Sequence, residues 1–240
     1  MAFFEQEFKI SLRDVGISNE ITNKAILGYF EDIGGFHSDT VGFGLKQIEQ
    51  THLTWVLLHW KIQILKRPQY GNIIKIRTWS RASFKFHCYR DFEMYDENGN
   101  LLVIATSKWA LVHIEKGLQK LTDDIITPYK SESKSVFPLL EVEKLKEPVS
   151  YSSTYACRVL RSNIDVNRHM HNLCYLDLAY ETLPIDIYQS TDFSCIEIMY
   201  KKEAKLGDSL LCLYEKVGNA YYVTIKSEDE KQLHAIVKLY

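Results

Sequence analysis

Asp165, Asn167, His169 and Asn172 fall within eight residues of one run, DVNRHMHN. An aspartate offers a carboxylate, an asparagine a two-way hydrogen-bonding amide, and a histidine a group that titrates near neutral pH. Gathered just ahead of a helix, such residues share their neighbourhood with backbone N–H groups that lack helical partners and favour negative charge. That set suits attack of water on a carbonyl, in which an oxyanion must be stabilised. Taken singly, Asp165 and Asn167 are also ordinary helix caps.

The elements around the run must place it. A helix beginning at Asn172 puts Leu173, Leu176, Tyr180 and Leu183 on one stripe, and Pro184 closes it. Residues 153–160 read as a strand before it, and residues 195–200, 209–216, 221–226 and 233–240 as strands after it. The first half has the same order. Residues 4–12 alternate as a strand. Residues 21–33 form a helix with Ile26, Phe30 and Ile33 on one face, ended by Gly34-Gly35. Residues 55–65, 73–79, 84–95 and 101–114 follow as strands, with Arg90 the exception on the apolar face of the third and a hairpin turn at residues 96–100. A faint internal repeat accompanies this order: Gly71 lies over Gly207 at an offset of 136 residues, and Asp14-Val15 over Asp165-Val166 at an offset of 151. The organisation expected is a first repeat over 1–130, a linker rich in Ser, Lys and Glu over 131–148, and a second repeat over 149–240.

The 240 residues carry a formal net charge of −2, with 46% hydrophobic and 25% charged residues. This is ordinary globular composition, and bulk charge gives no sign of a nucleic-acid partner. Cys88, Cys157, Cys174, Cys195 and Cys212 are odd in number and form no C-x-x-C pair, which argues for a reducing compartment. The opening MAFFEQEFKI reads as neither signal nor transit peptide, and no apolar stretch approaches the roughly 18 residues a membrane span requires. A cytoplasmic protein without a membrane span is expected. His169 and His171 form H-x-H with no third ligand at a familiar spacing, so no metal and no other cofactor is expected.

The polar run resembles the active-site segment D-x-N-x-H-x-N-N of the fatty acyl–acyl carrier protein thioesterases, similar to the plant plastid enzymes. It departs at His171, where the family has the first of two asparagines. The resemblance covers nearly the whole chain. WVLLHWKIQILKRPQYG holds the family's Trp55, Ile62, Pro68 and Gly71; TWSRASFKFHCYRDF and ATSKWALVH match two further segments; KKEAKLGDSL resembles R-R-E-C-x-x-D-S-L. Glu203 then stands at the family's active-site glutamate. Ala204 takes the neighbouring place that is often cysteine in the plant enzymes, so no cysteine nucleophile can act there.

The resemblance implies an α+β double hotdog, two tandem hotdog repeats, each a long helix wrapped by an antiparallel β-sheet. It implies hydrolysis of fatty acyl–acyl carrier protein to free fatty acid, ending chain elongation, with Asp165, Asn167, His169 and Glu203 as the catalytic set. Glu203 is then the candidate general base, its proton affinity raised by partial burial. His169 positions or shares the proton, and Asn167 orients water or donates to the oxyanion. Asp165 either holds these two or is itself the base. The first repeat, whose corresponding run is DVGISNEITN, would supply the acyl-chain pocket from its helix and the strand starting at Trp55. The partner expected is an acidic acyl carrier protein, met by a basic patch drawn from Lys61, Lys66, Arg67, Lys75, Arg77, Lys85, Lys201, Lys202 and Lys205. A monomer or homodimer fits two fused repeats. Competing readings are an acyl-CoA or aryl-CoA thioesterase on the same fold and a non-catalytic acyl-binding hotdog protein. A dehydratase lacks a full motif here.

Overall fold

The structure, a computed structural model, describes residues 3–138, 142–190 and 192–240. The chain divides into two compact units. One runs to Leu58 and takes in Ile62–Val142; the other takes in His59–Lys61 and Glu143–Tyr240.

The first unit holds β1 (Phe4–Lys9), α1 (Asn23–Thr40), α2 (Ile48–Thr51), most of β2 (Leu53–Ile64), β3 (Ile73–Ser83), β4 (Cys88–Asp96), β5 (Leu101–His113), β6 (Gly117–Leu118) and α3 (Asp123–Ile126). Its strand order is β1-β3-β4-β5-β2, with β6 on β5. The β1–β3, β3–β4 and β4–β5 pairs are antiparallel. Ile26, Leu27, Phe30 and Ile33 of α1 are fully buried, and the Phe30 ring stacks on Phe92 of β4 at 4.9 Å. Thr22 caps α1 by accepting the Ala25 N–H at 3.1 Å.

The second unit holds β7 (Ser153–Arg158), α4 (Asn172–Thr182), α5 (Ile185–Ser190), β8 (Cys195–Tyr200), β9 (Ser209–Val217), β10 (Ala220–Ser227) and β11 (Leu233–Leu239). Its order is β7-β9-β10-β11-β8, antiparallel throughout. Tyr175, Leu176 and Ala179 of α4 are buried. Leu176 and Leu183 keep their expected places, while Leu173 and Tyr180 are only half-buried. Each unit lays its longest helix, α1 or α4, on an antiparallel sheet with the same strand order. The chain is therefore α+β, a double hotdog.

The repeat extends to individual hydrogen bonds. Ile10 N–H donates to Asn72 C=O at 3.0 Å, and Val159 N–H to Asp208 C=O at 2.9 Å. Gly71 and Gly207 both take left-handed φ, +83° and +88°, and their N–H groups donate to Ile10 and Val159. The offset of 136 residues between these glycines holds. The offset at the other end is 149 rather than 151: bridge Val15–Ile21 matches bridge Ile164–Met170, and cap Thr22 matches cap His171. Asp14 and Asp165 share a residue type but not a place in the repeat. Asp14 corresponds to Asn163, and each accepts the N–H three residues back, from Ser11 at 2.7 Å and Leu160 at 2.8 Å.

Two other expectations are corrected. Helix α1 does not end at Gly34-Gly35 but continues to Thr40. Gly34 is buried beside Arg90, whose Cδ would lie at an ordinary contact distance of 3.6 Å from an added Cβ, so this glycine neither ends the helix nor is demanded by a close approach. The strand at 84–95 begins only at Cys88, because the Phe84 N–H turns back to the His87 carbonyl at 2.7 Å. Arg90 is buried and donates to His37 Nδ1 at 2.8 Å and to Thr78 Oγ1 at 3.3 Å. Of the 131–148 stretch, residues 139–141 lie outside the described residues. Its early part is bonded to the sheet: Glu132 N–H donates to Ser80 C=O at 2.9 Å and Val136 N–H to Asp91 Oδ2 at 2.9 Å.

Gly35 is exposed in the interior of α1, with nothing within 4 Å of an added Cβ. Gly35→Ala should therefore stabilise the protein by about 0.5–1 kcal/mol in urea denaturation. Destabilisation would mean that the helix breaks where the glycine pair suggested.

Candidate active site

The second unit builds its polar loop from a 3-10 turn, Arg161–Asn163, followed by the Ile164–Met170 bridge. Between the bridge residues the chain is closed by Asp165. Its Oδ1 accepts the N–H of Asn167 at 2.9 Å and of His169 at 3.1 Å. Its own N–H donates to the His169 carbonyl at 2.9 Å. This is an Asx turn, and it carries Arg168 at φ 63°, a left-handed conformation that costs a non-glycine residue about 1 kcal/mol. Asn167 and Arg168 are exposed, while Asp165 and His169 are half-buried.

Helix α4 begins directly afterwards. Its cap is His171, not Asp165 or Asn167: His171 Nδ1 accepts the Leu173 N–H at 3.2 Å. The Cys174 N–H donates to the His171 carbonyl at 2.9 Å. These N–H groups of the first turn are thus already engaged, and the helix start offers fewer oxyanion donors than expected.

The loop is fastened to a second segment. Met170 N–H donates to the Ala204 carbonyl at 2.8 Å. Ala204 N–H donates in turn to the Tyr175 phenol oxygen at 3.1 Å. Beyond it, the Lys205 N–H donates to Asp208 Oδ2 at 2.8 Å, closing the turn before β9. His169 and Glu203 therefore each adjoin a member of the bonded Met170–Ala204 pair. Glu203 is not buried as expected: its side chain is 44% exposed, with Oε1 3.8 Å from Lys202 Nζ. Tyr175, 2% exposed, was not anticipated. Burial, with the Glu203 charge as a lesser cause, pushes its phenol up to about 12, so it stays protonated at neutral pH. A correct repeat register was the signal that could have found it, since Tyr175 and Ala204 stand where the first unit has Ile26 and Pro68.

The first unit has the same backbone without this chemistry. Gly16, Ser18, Glu20 and Arg67 take the places of Asp165, Asn167, His169 and Glu203. Asn19, at φ 63°, takes that of Arg168. Among the described residues no three His, Cys, Asp or Glu side chains group as metal ligands. No helix among them is long and apolar enough to cross a membrane.

Two family models match the chain: the acyl-ACP thioesterase N-terminal domain over residues 2–129 and the acyl-ACP thioesterase C-terminal domain over residues 146–238. An Arabidopsis thaliana protein named chloroplastic oleoyl-acyl carrier protein thioesterase 1 is 27% identical over 236 residues, which cover 90% of this chain and 65% of that one. The chain spans 65%, 60% and 60% of the lengths of three such curated relatives. Among solved structures, an acyl-ACP thioesterase from Bacteroides thetaiotaomicron superposes with a TM-score of 0.89 at 22% identity, covering 99% of this chain and 97% of that one. The 12:0-ACP thioesterase from Umbellularia californica gives 0.87 at 22% identity, covering 100% and 96%.

The loop's dependence on Asp165 can be measured. Asp165→Ala leaves two N–H groups without their acceptor and should cost about 1–2 kcal/mol in urea denaturation. Asp165→Asn keeps an oxygen at Oδ1 and should stay within about 0.5 kcal/mol of the wild type. Equal losses would show that the turn does not depend on this acceptor.

Proposed function

Since the chain belongs to the acyl-ACP thioesterase family, both of whose domain models it matches, we propose that it hydrolyses the thioester of fatty acyl–acyl carrier protein. Free fatty acid and carrier thiol are the products, and chain elongation ends. The observation that carries this reading is the Met170–Ala204 hydrogen bond at 2.8 Å, which joins the His169 loop to the Glu203 segment.

Glu203 takes a proton from water, and the resulting hydroxide attacks the thioester carbonyl. Glu203 is open to solvent in the free chain, so a bound acyl thioester is what would desolvate it. The Asn167 side-chain amide, at the exposed tip of the loop, is the donor assigned to the oxyanion, because α4's capped N–H groups are spent internally. Collapse of the tetrahedral intermediate breaks the C–S bond, and His169 relays the proton held by Glu203 to the leaving thiolate, which returns both groups to their starting states. Asp165 acts as the holder of Asn167 and His169 rather than the base, since its Oδ1 already accepts both of their N–H groups. With alanine at 204, no cysteine nucleophile enters the scheme.

The division of labour extends to the units. The first, whose corresponding loop lacks the polar set, is assigned the acyl chain, and the second the chemistry. A cytoplasmic monomer or homodimer acting on a carrier-linked chain fits this reading. Of the basic residues considered for docking, Lys75 and Arg77 pair with Glu5, and Arg67 donates to the Ile21 carbonyl at 3.0 Å. Lys201, Lys202 and Lys205 are exposed around Glu203 and are the better placed.

Fatty-acid release from a chain-length series of acyl–acyl carrier proteins, set against the matching acyl-CoAs, tests the proposal. Carrier-linked substrates should be preferred. Their advantage should shrink as ionic strength rises from about 0.05 to 0.3 M, as attraction between exposed charges is screened. Asn167→Ala and His169→Ala should each lower turnover about 100-fold or more while the protein stays folded. Cleavage of acyl-CoA alone would overturn the substrate assignment, and cleavage of neither would favour an acyl-binding protein.

A further inference from the structure

We propose that Tyr175 is a positioning residue of the hydrolytic site: its phenol oxygen anchors the Glu203–Ala204 peptide and thereby aims the Glu203 carboxylate. This rests on the reading of Glu203 as general base.

The Ala204 residue is held at both ends. Its carbonyl accepts the Met170 N–H at 2.8 Å, and its N–H donates to Tyr175 Oη at 3.1 Å. Ala204 is fully buried, so its N–H requires an acceptor within the protein. The first unit solves the same problem without one. Pro68 stands at the corresponding place, and its carbonyl accepts the Ile21 N–H at 2.9 Å. Proline has no N–H to satisfy, and its ring fixes the backbone by itself. Ile26, fully buried, fills the position of Tyr175. The scaffold therefore needs no phenol here. Proline also restricts the residue before it to extended conformations, and in the second unit that residue is Glu203. Tyrosine with alanine replaces a covalent lock by a hydrogen bond only where a carboxylate must be oriented. The Glu203 charge is among the groups that raise the Tyr175 pKa, behind burial, which places the carboxylate within electrostatic reach of the phenol.

Tyr175→Phe removes the acceptor but keeps the ring, which packs edge-on against Tyr200 at 5.5 Å. The kcat on acyl–acyl carrier protein should fall about 10–100-fold, with KM within about twofold of the wild type. In the double variant Tyr175→Phe/Ala204→Pro, the unsatisfied N–H is gone and the backbone is fixed as at Pro68; kcat should return to within about threefold. Near-ultraviolet circular dichroism at the assay temperature verifies that both variants are folded. Wild-type kcat in Tyr175→Phe overturns the proposal. So does a loss of kcat that the proline does not repair, because the phenol would then act other than through this peptide. Glu203→Gln measured alongside separates the two levels. If it is fully active, the assignment of the base fails and the positioning claim falls with it. If it is inactive while Tyr175→Phe turns over normally, only the positioning claim fails.

Discussion

The residues of the site are brought side by side by one backbone hydrogen bond, from Met170 N–H to the Ala204 carbonyl at 2.8 Å. A single such bond contributes on the order of 1 kcal/mol net, but its geometric consequence is larger. It joins the loop ahead of α4 to the turn ahead of β9, two segments more than thirty residues apart in sequence. Sheet pairing of β7 with β9 brings the two segments together as far as Val159 and Asp208, and the Met170–Ala204 bond carries the connection on to the residues beside the site. With that bond in place, His169 and Glu203 become neighbours of bonded residues, and the Asx turn at Asp165 fixes the remaining path. The same bond recurs in the first unit between Ile21 and Pro68, where it supports no comparable polar set. The bond belongs to the scaffold, and the side chains mounted on it differ between the copies.

The two copies therefore act as an internal control. Asp14 and Asn163 make equivalent hydrogen bonds, as do the turns closed by Asn72 and Asp208. Against that constant frame, Gly16, Ser18, Glu20 and Arg67 give way to Asp165, Asn167, His169 and Glu203. Arg67 against Glu203 reverses a charge at one backbone position. Thr22 against His171 shows the opposite case, two different side chains performing the same capping task. Only the comparison of copies separates substitutions that change chemistry from substitutions that preserve a contact.

Much of this was legible in the sequence, for identifiable reasons. Alternation and turn residues located the sheet strands, because side-chain period and burial are local properties. The start of α4 at Asn172 was likewise readable. The Gly34-Gly35 pair is no helix stop, since glycine as a terminator is a local tendency, whereas the burial of Ile33, Gly34, His37 and Ser38 that carries α1 on to Thr40 is a tertiary property. The repeat register slipped by two residues because like residue types were aligned where like hydrogen bonds should have been. Asp165, Asn167, His169 and Glu203 are singled out by family resemblance, but the sequence does not tell that one oxygen of the Asp165 carboxylate, Oδ1, accepts two N–H groups of its own loop. Nor could it tell that Glu203 is exposed. No local pattern marks Tyr175, because its hydrogen bond with the Ala204 N–H joins residues 29 positions apart.

The central claim is that the Glu203 carboxylate, presented beside the His169 loop, removes the proton from the attacking water. Single-turnover release of fatty acid from a carrier-linked substrate, comparing the wild type with Glu203→Gln, tests it most directly. Substrate binding should be retained, and the rate should fall about 100- to 10,000-fold in the variant. A variant that releases fatty acid at the wild-type rate would contradict the account and move the base elsewhere on the loop.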